Sequence, residues 1–135
     1  MFGKRTGCVL FIASEAAISS SPELAHDSAT KTMQLPVARS LAELTRGTAV
    51  TVNTILAGST RTEGVEEFVQ DLFPGLPLDD AQRRFMRENR PTSLLERLIE
   101  PKEIADFATY VSSPLASAIH GAALRIDGGL VRSVF

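Results

Sequence analysis

A chain of 135 residues, 44% hydrophobic and 22% charged, has the make-up of one soluble globular domain that can bury a real core. Its net charge of -2 gives no overall basic field for collecting phosphates, so nucleic-acid binding has no electrostatic footprint. One cysteine, Cys8, excludes an internal disulfide, and with only two histidines there is no zinc spacing and no metal site is expected.

No stretch approaches the ~18–20 apolar residues of a membrane span. Met1-Phe2-Gly3-Lys4-Arg5 leads into too short an apolar run for a secretory signal, so the cytoplasm is the expected compartment. Residues 8–13 then form a continuous apolar run, the pattern of a strand covered on both faces, with Cys8 packed as a small apolar residue. A polar loop, Ser19-Ser20-Ser21-Pro22-Glu23, precedes a long helical pattern over 24–46, where Met33, Val37, Leu41 and Leu44 recur at helical spacing. Gly47 is a fitting stop for it. Pro36 falls inside and costs ~3 kcal/mol or more unless a kink relieves it.

Residues 49–56 are the next strand, rich in β-branched side chains. Strand, long helix and strand form a right-handed crossover by default, so the two strands should lie parallel. A short helix follows with Val65, Phe68, Val69 and Leu72 on one face, then a Pro74-Gly75-Leu76-Pro77 turn and a polar helix over 79–89. Pro101-Lys102-Glu103 opens another helix, whose stripe is Ile104, Phe107, Ala108 and Val111. Residues 122–126 are the last strand, closed by Asp127-Gly128-Gly129.

Four landmarks stand out in order. They are the strand ending at Ser14, the run His26-Asp27-Ser28-Ala29-Thr30-Lys31, the stretch from Val52 through Ala57-Gly58 to Thr62, and the tail Leu124-Arg125-Ile126-Asp127-Gly128-Gly129. Order and spacing resemble the C-terminal half of a short-chain dehydrogenase/reductase over nearly the whole chain. That family carries Tyr-x-x-x-Lys where this chain has Asp27 and Lys31, and keeps its catalytic serine thirteen residues upstream (27 minus 14), at Ser14. The one tyrosine, Tyr110, lies too far along to be a register slip. The family's glycine-rich pyrophosphate turn is missing, since the nine glycines include no G-x-G-x-x-G. Gly3-Lys4-Arg5-Thr6 superficially suggests a phosphate loop, but without the preceding glycine and strand it reads as a helix-end turn.

In the family the tyrosine gives a proton to the carbonyl oxygen as hydride arrives, and the lysine lowers the phenol's pKa and holds the ribose. A carboxylic acid, ordinarily ionised above ~3.9, has no proton to give at neutrality, and its side chain stops short of a phenol's reach. The plain reading of Asp27 is a helical ion pair with Lys31. An acid/base role for Asp27 would need burial. The resemblance assigns Ser14 to the substrate oxygen, against a strand-end serine that satisfies local backbone. It assigns cofactor contacts to Lys31, Ala57, Gly58, Thr60 and Thr62, and Ala57-Gly58 replaces the family's Pro-Gly. The local alternative makes Lys31 a solvated helix lysine and the two threonines capping residues for a helix starting near Gly64. Asn53 reads as structural. Ser14, His26, Asp27 and His120 do not make a hydrolase, because adjacent helix residues diverge and no G-x-S-x-G elbow surrounds Ser14.

The expected fold is α/β, the C-terminal half of a Rossmann-like sheet with about three parallel strands and flanking helices, the dinucleotide-binding half missing. Residues 1–135 should form a single partial domain, with 59–100 as a substrate-lid-like helical segment. The resemblance implies an NAD- or NADP-dependent oxidoreductase that is inactive alone and needs a complementing N-terminal half; the alternative is a non-catalytic remnant or oligomerisation module. The apolar edge strand would recruit a second copy, giving a homo-oligomer, with neither nucleic acid nor membrane as a partner.

Overall fold

The computed structural model describes residues 6–135, and Glu23 by its backbone; the turn read at Gly3 to Arg5 lies outside the described residues. Three strands, β1 (Thr6–Ser14), β2 (Ala49–Ala57) and β3 (Ala123–Ile126), form a parallel sheet with β2 in the middle. The expected fold class is the observed one. Four helices accompany them: α1 (Ala25–Leu44), α2 (Glu63–Leu72), α3 (Leu78–Asn89) and α4 (Pro101–Ser112). Among the described residues, no helix is long and apolar enough to cross a membrane.

Alternation along β1 sends its residues to two different layers. Val9 and Phe11 pack with Ala38, Ala42 and Val52, and Ala13 packs with Ala17, Leu56 and Leu35, so this face meets α1. Cys8 points the other way, its thiol 3.8 Å from the Val111 carbonyl of α4. Burial of β1 is less complete than its composition suggests: Cys8 to Phe11 are half-buried and Ile12 is exposed. Among the described residues β1 has one neighbouring strand, so its outer edge stays open although α1 and α4 each cover part of a face.

Helix α1 departs from its sequence reading in which face it buries. Met33, Val37 and Leu44 are 67%, 56% and 70% exposed, whereas Ser28, Ala38 and Ala42 are buried. Of the expected stripe only Leu41 meets the sheet, packing with Ala38, Ala42 and Val52, so α1 contacts β2 mainly through small residues. Pro36 withholds the amide that would bond the Thr32 carbonyl, yet α1 runs on without a break. Gly47 follows with φ +77, the left-handed conformation that glycine adopts without strain.

Helices α2 and α3 build a core of their own from Val69, Ala81, Phe85, Met86 and Leu98. Helix α3, polar by composition, buries Ala81, Gln82, Phe85 and Met86 along one side. Two backbone bonds fasten this unit to the sheet's end, Ile99 N–H to the Ser59 carbonyl (2.9 Å) and Arg61 N–H to the Ile99 carbonyl (2.8 Å).

Helix α4 begins with proline at its first position and a capping box between Glu100 and Glu103. Arg97 donates to both Glu103 carboxylate oxygens at 2.8 and 2.9 Å. These bonds, with the Glu100 backbone N–H, hold the Glu103 carboxyl down to about 2 from its ordinary 4.5. A depressed carboxyl stabilises the fold above its unfolded value and loses that contribution as pH falls. The α4 start should therefore keep full stability above pH 4.5 and lose it progressively toward pH 2. Carboxyl NMR titration checks this. Glu103 titrating near 4.5, or no change on Arg97→Gln, would contradict it.

Candidate functional site

In open parallel sheets, ligands bind beyond the carboxyl ends of the strands, where the helices that follow begin. Here those ends lie level. Ser14 pairs in register with Ala57, and Ala57 with Ile126, so Ser14, Ala57-Gly58 and Asp127 share one rim of the sheet. The Gly58 amide donates to the Ile126 carbonyl at 3.0 Å. A Cβ on Gly58 would stand 2.7 Å from the Asp127 Cα, so the permissive residue is required by close backbone approach. The Asp127 carboxylate in turn accepts the amides of Gly129 and Val131, both at 3.0 Å, which shapes the turn after β3.

From Ser14 the chain passes through short 3-10 turns at Glu15–Ala17 and Pro22–Leu24 into α1. The Thr32 hydroxyl lies between the Ala17 carbonyl at 2.8 Å and the Ser28 carbonyl at 2.7 Å, its one proton shared between them, which places α1 against this passage. Asp27 and Lys31 thus lie in the first two turns of α1, both half-buried, close in sequence to the rim.

The expected Asp27–Lys31 ion pair is absent: among the described residues no salt bridge joins them within 4.0 Å. Aspartate reaches only one carbon beyond Cβ, and in the first turn of α1 its side chain lies at the N-terminal end of the helix, away from the direction in which Lys31 follows. The Thr30 hydroxyl donates to the Asp27 carbonyl at 2.9 Å.

Ser14 is engaged on both sides. Its Oγ accepts the Ala16 amide at 3.1 Å, capping the 3-10 turn, and donates to Glu15 Oε2 at 2.7 Å. The strand-end role read from sequence is therefore present, and the proton a substrate oxygen would need points at a carboxylate. Glu15, 8% exposed, is the residue that sequence reasoning missed. Its one signal was an acid in an otherwise apolar passage, Glu15-Ala16-Ala17, directly after a strand.

The threonines take local parts. Thr62 caps α2, accepting the Val65 amide at 3.3 Å, and the Thr60 hydroxyl donates to the Gly58 carbonyl at 2.9 Å. Asn53 is structural, as read: its Nδ2 donates to the Ile119 carbonyl at 2.8 Å and its Oδ1 accepts the Ala122 amide at 3.1 Å. His120 belongs to the opposite end of the sheet. Its Nδ1 accepts the Val52 amide at 3.1 Å, and its Nε2 lies 3.1 Å from the Thr45 hydroxyl, which itself donates to Ala42. Val52 precedes Ala57 by five residues, roughly 16 Å along the strand, so no Ser14–His120 catalytic pair can form. No group of three or more metal-ligating side chains occurs among the described residues.

Comparison with known proteins agrees with this geometry. The family model described as enoyl-(acyl carrier protein) reductase matches residues 1–131. The uncharacterized oxidoreductase YvaG of Bacillus subtilis is 65% identical over 137 residues, covering 100% of this chain and 52% of that protein. YvrD, another uncharacterized oxidoreductase of Bacillus subtilis, is 39% identical over 136 residues, covering 99% and 52%. L-sorbose reductase from Gluconobacter frateurii, solved with NADPH and L-sorbose, shares the fold with a TM-score of 0.87 at 22% identity, over 98% of this chain and 50% of that one. The chain spans about half the length of the relatives it matches. The level strand ends, the serine at the first of them and the match across nearly every residue agree: the chain belongs to the short-chain dehydrogenase/reductase family.

Proposed function

We propose that this chain supplies the C-terminal half of an NAD(P)-dependent oxidoreductase that moves hydride between an alcohol and a carbonyl in the cytoplasm, and that it turns nothing over by itself. The observation that carries this reading is the register that sets Ser14 beside Ala57-Gly58, with the first turns of α1 tied to the same rim. Ser14 is assigned to the substrate oxygen and Lys31 to the nicotinamide ribose. Ala57, Gly58, Thr60 and Thr62 are assigned to the nicotinamide end of NAD or NADP. Asp27 occupies the place of the family's tyrosine. Residues 1–135 act as one partial domain with 59–100 as its lid, in keeping with the separate core formed by α2 and α3.

The residues fit only part of the cofactor. Gly58 lets the backbone turn tightly against Asp127 at the rim, and Thr60 and Thr62 follow it there, the positions assigned to a nicotinamide. A pyrophosphate needs backbone amides presented by a glycine-rich turn at a helix start, and this sequence contains no such turn. When bound, the cofactor supplies the hydride. What this chain's residues offer is orientation of the substrate oxygen by Ser14 and a positive charge at Lys31. The pyrophosphate cradle must come from a complementing N-terminal half, wherever that segment is carried.

The chain alone should bind NADH or NADPH no more tightly than about millimolar, equivalent to roughly 4 kcal/mol. Calorimetric titration tests this, and micromolar binding at the rim would overturn the assignment of a missing cradle. A second reading, a non-catalytic assembly module, is favoured by two observations: the Ser14 hydroxyl is already committed to Glu15, and α1 presents exposed Met33, Val37 and Leu44. Either reading makes the chain a homo-oligomer. Val37→Asp should shift it toward monomer without unfolding it, whereas a charge at half-buried Phe11 would also damage the α1-facing core. Sedimentation finding a stable wild-type monomer at tens of micromolar would count against assembly through α1.

A further inference from the structure

A cavity of about 460 Å³ opens between α3 and the segment after it, lined by Arg83, Met86, Arg87, Arg90, Pro91 and Glu96. Positions 83, 87 and 90 follow helical spacing, so three guanidinium groups are gathered along one side. Gathering like charges is unfavourable unless something answers them. Arg83 has Asp80 at 2.8 Å. Arg87 and Arg90 have no carboxylate within 4.0 Å among the described residues.

Arg90 is the anchored member. Its Nε donates to Ser59 Oγ at 3.1 Å, its Nη1 donates to the Asn89 carbonyl at 2.8 Å, and its guanidinium lies over the Phe85 ring at 5.1 Å. All three partners are neutral, so the charge is fixed in place without being cancelled, and Nη2 keeps donors to spare. Glu96, held at φ 55, is the single carboxylate in the lining. Met86 and Pro91 supply apolar wall beside the charges.

We propose that this cleft binds a small molecule carrying a phosphoryl group. A doubly charged phosphoryl matches the two uncommitted arginines, whose forked donors suit its oxygens. The volume falls in the range of small-molecule sites and exceeds what a bare ion needs, and the apolar wall suits a carbon skeleton. Arg90 and Pro91 also border the neighbouring crevice lined by Glu15 and Ser19 to Ser21, so the two spaces adjoin. The cleft lies within the 59–100 segment and adjoins the strand-end rim through Arg90 and Ser59, but phosphoryl binding needs neither cofactor nor proton donor, so its test stands or falls separately from the oxidoreductase reading.

The test is calorimetric titration of the full chain with inorganic pyrophosphate and, separately, with citrate. Pyrophosphate should bind with an affinity that falls as salt rises, and Arg87→Gln should weaken it roughly tenfold. Arg39→Gln, altering an arginine paired with Glu43 on α1, should leave it unchanged. Amide NMR shifts on adding pyrophosphate should centre on residues 83–97. Absence of pyrophosphate binding, equal affinity for citrate, or equal weakening by both substitutions would overturn the proposal. Repeating the NADPH titration in the Arg87→Gln chain separates nucleotide held in this cleft from nucleotide at the strand ends.

Discussion

Replacing Phe85 with alanine should cost about 3–5 kcal/mol, the range for removing a fully buried aromatic ring. Phe85 is 3% exposed and packs with Val69, Ala81, Met86 and Leu98, while Phe68 meets its ring edge-on at 6.2 Å. No other element can fill the gap, because this core is separate from those under α1. The loss would also remove the surface on which the Arg90 guanidinium rests. Urea unfolding measures the effect. A lower midpoint is expected, or an early transition confined to α2 and α3, and a change under ~1 kcal/mol would mean that the unit is not held by this core.

The frame of this fold was readable from sequence where local chemistry and tertiary role coincide. The β-branched run at 49–56 is β2 almost to the residue, Pro101 does start α4, and Gly47 does follow the end of α1. What escaped reading depends on partners distant in the chain. The four apolar residues of the arginine-rich α3 gave no hint that Phe85 centres a core, since its partners outside that helix come from α2 and Leu98. The α1 stripe was read correctly at Leu41 but not at Met33, Val37 and Leu44, because helical spacing identifies a face without saying what it meets; Ala38 and Ala42 meet the sheet instead. At the site, the positions of Ser14 and Gly58 were legible, whereas the commitment of Ser14 to Glu15 and the absence of the Asp27–Lys31 pair depend on side-chain conformations that spacing does not determine.

Placing a phenol at position 27 should have the larger consequence for activity. With a complementing N-terminal half present, Asp27→Tyr should raise turnover by about 10²–10⁴-fold, the usual contribution of a positioned general acid. Lys31, one helical turn from position 27 and without a carboxylate within 4.0 Å among the described residues, remains available to that phenol. Ser14 limits the gain while its proton faces Glu15, so Glu15→Gln combined with Asp27→Tyr should raise turnover further. Without the complementing half, neither change should yield activity, because hydride donor and acid must be held together.

The direct measurement mixes this chain, as Asp27 and as Asp27→Tyr, with the portion of the Bacillus subtilis relative YvaG that it leaves unmatched, and follows NADPH oxidation with a panel of short aldehydes and ketones. Turnover confined to the mixture and far greater with Asp27→Tyr is the expected result. Equal rates for the two versions, or turnover by the Asp27 chain alone, would contradict the claim that this is an oxidoreductase half lacking its proton donor.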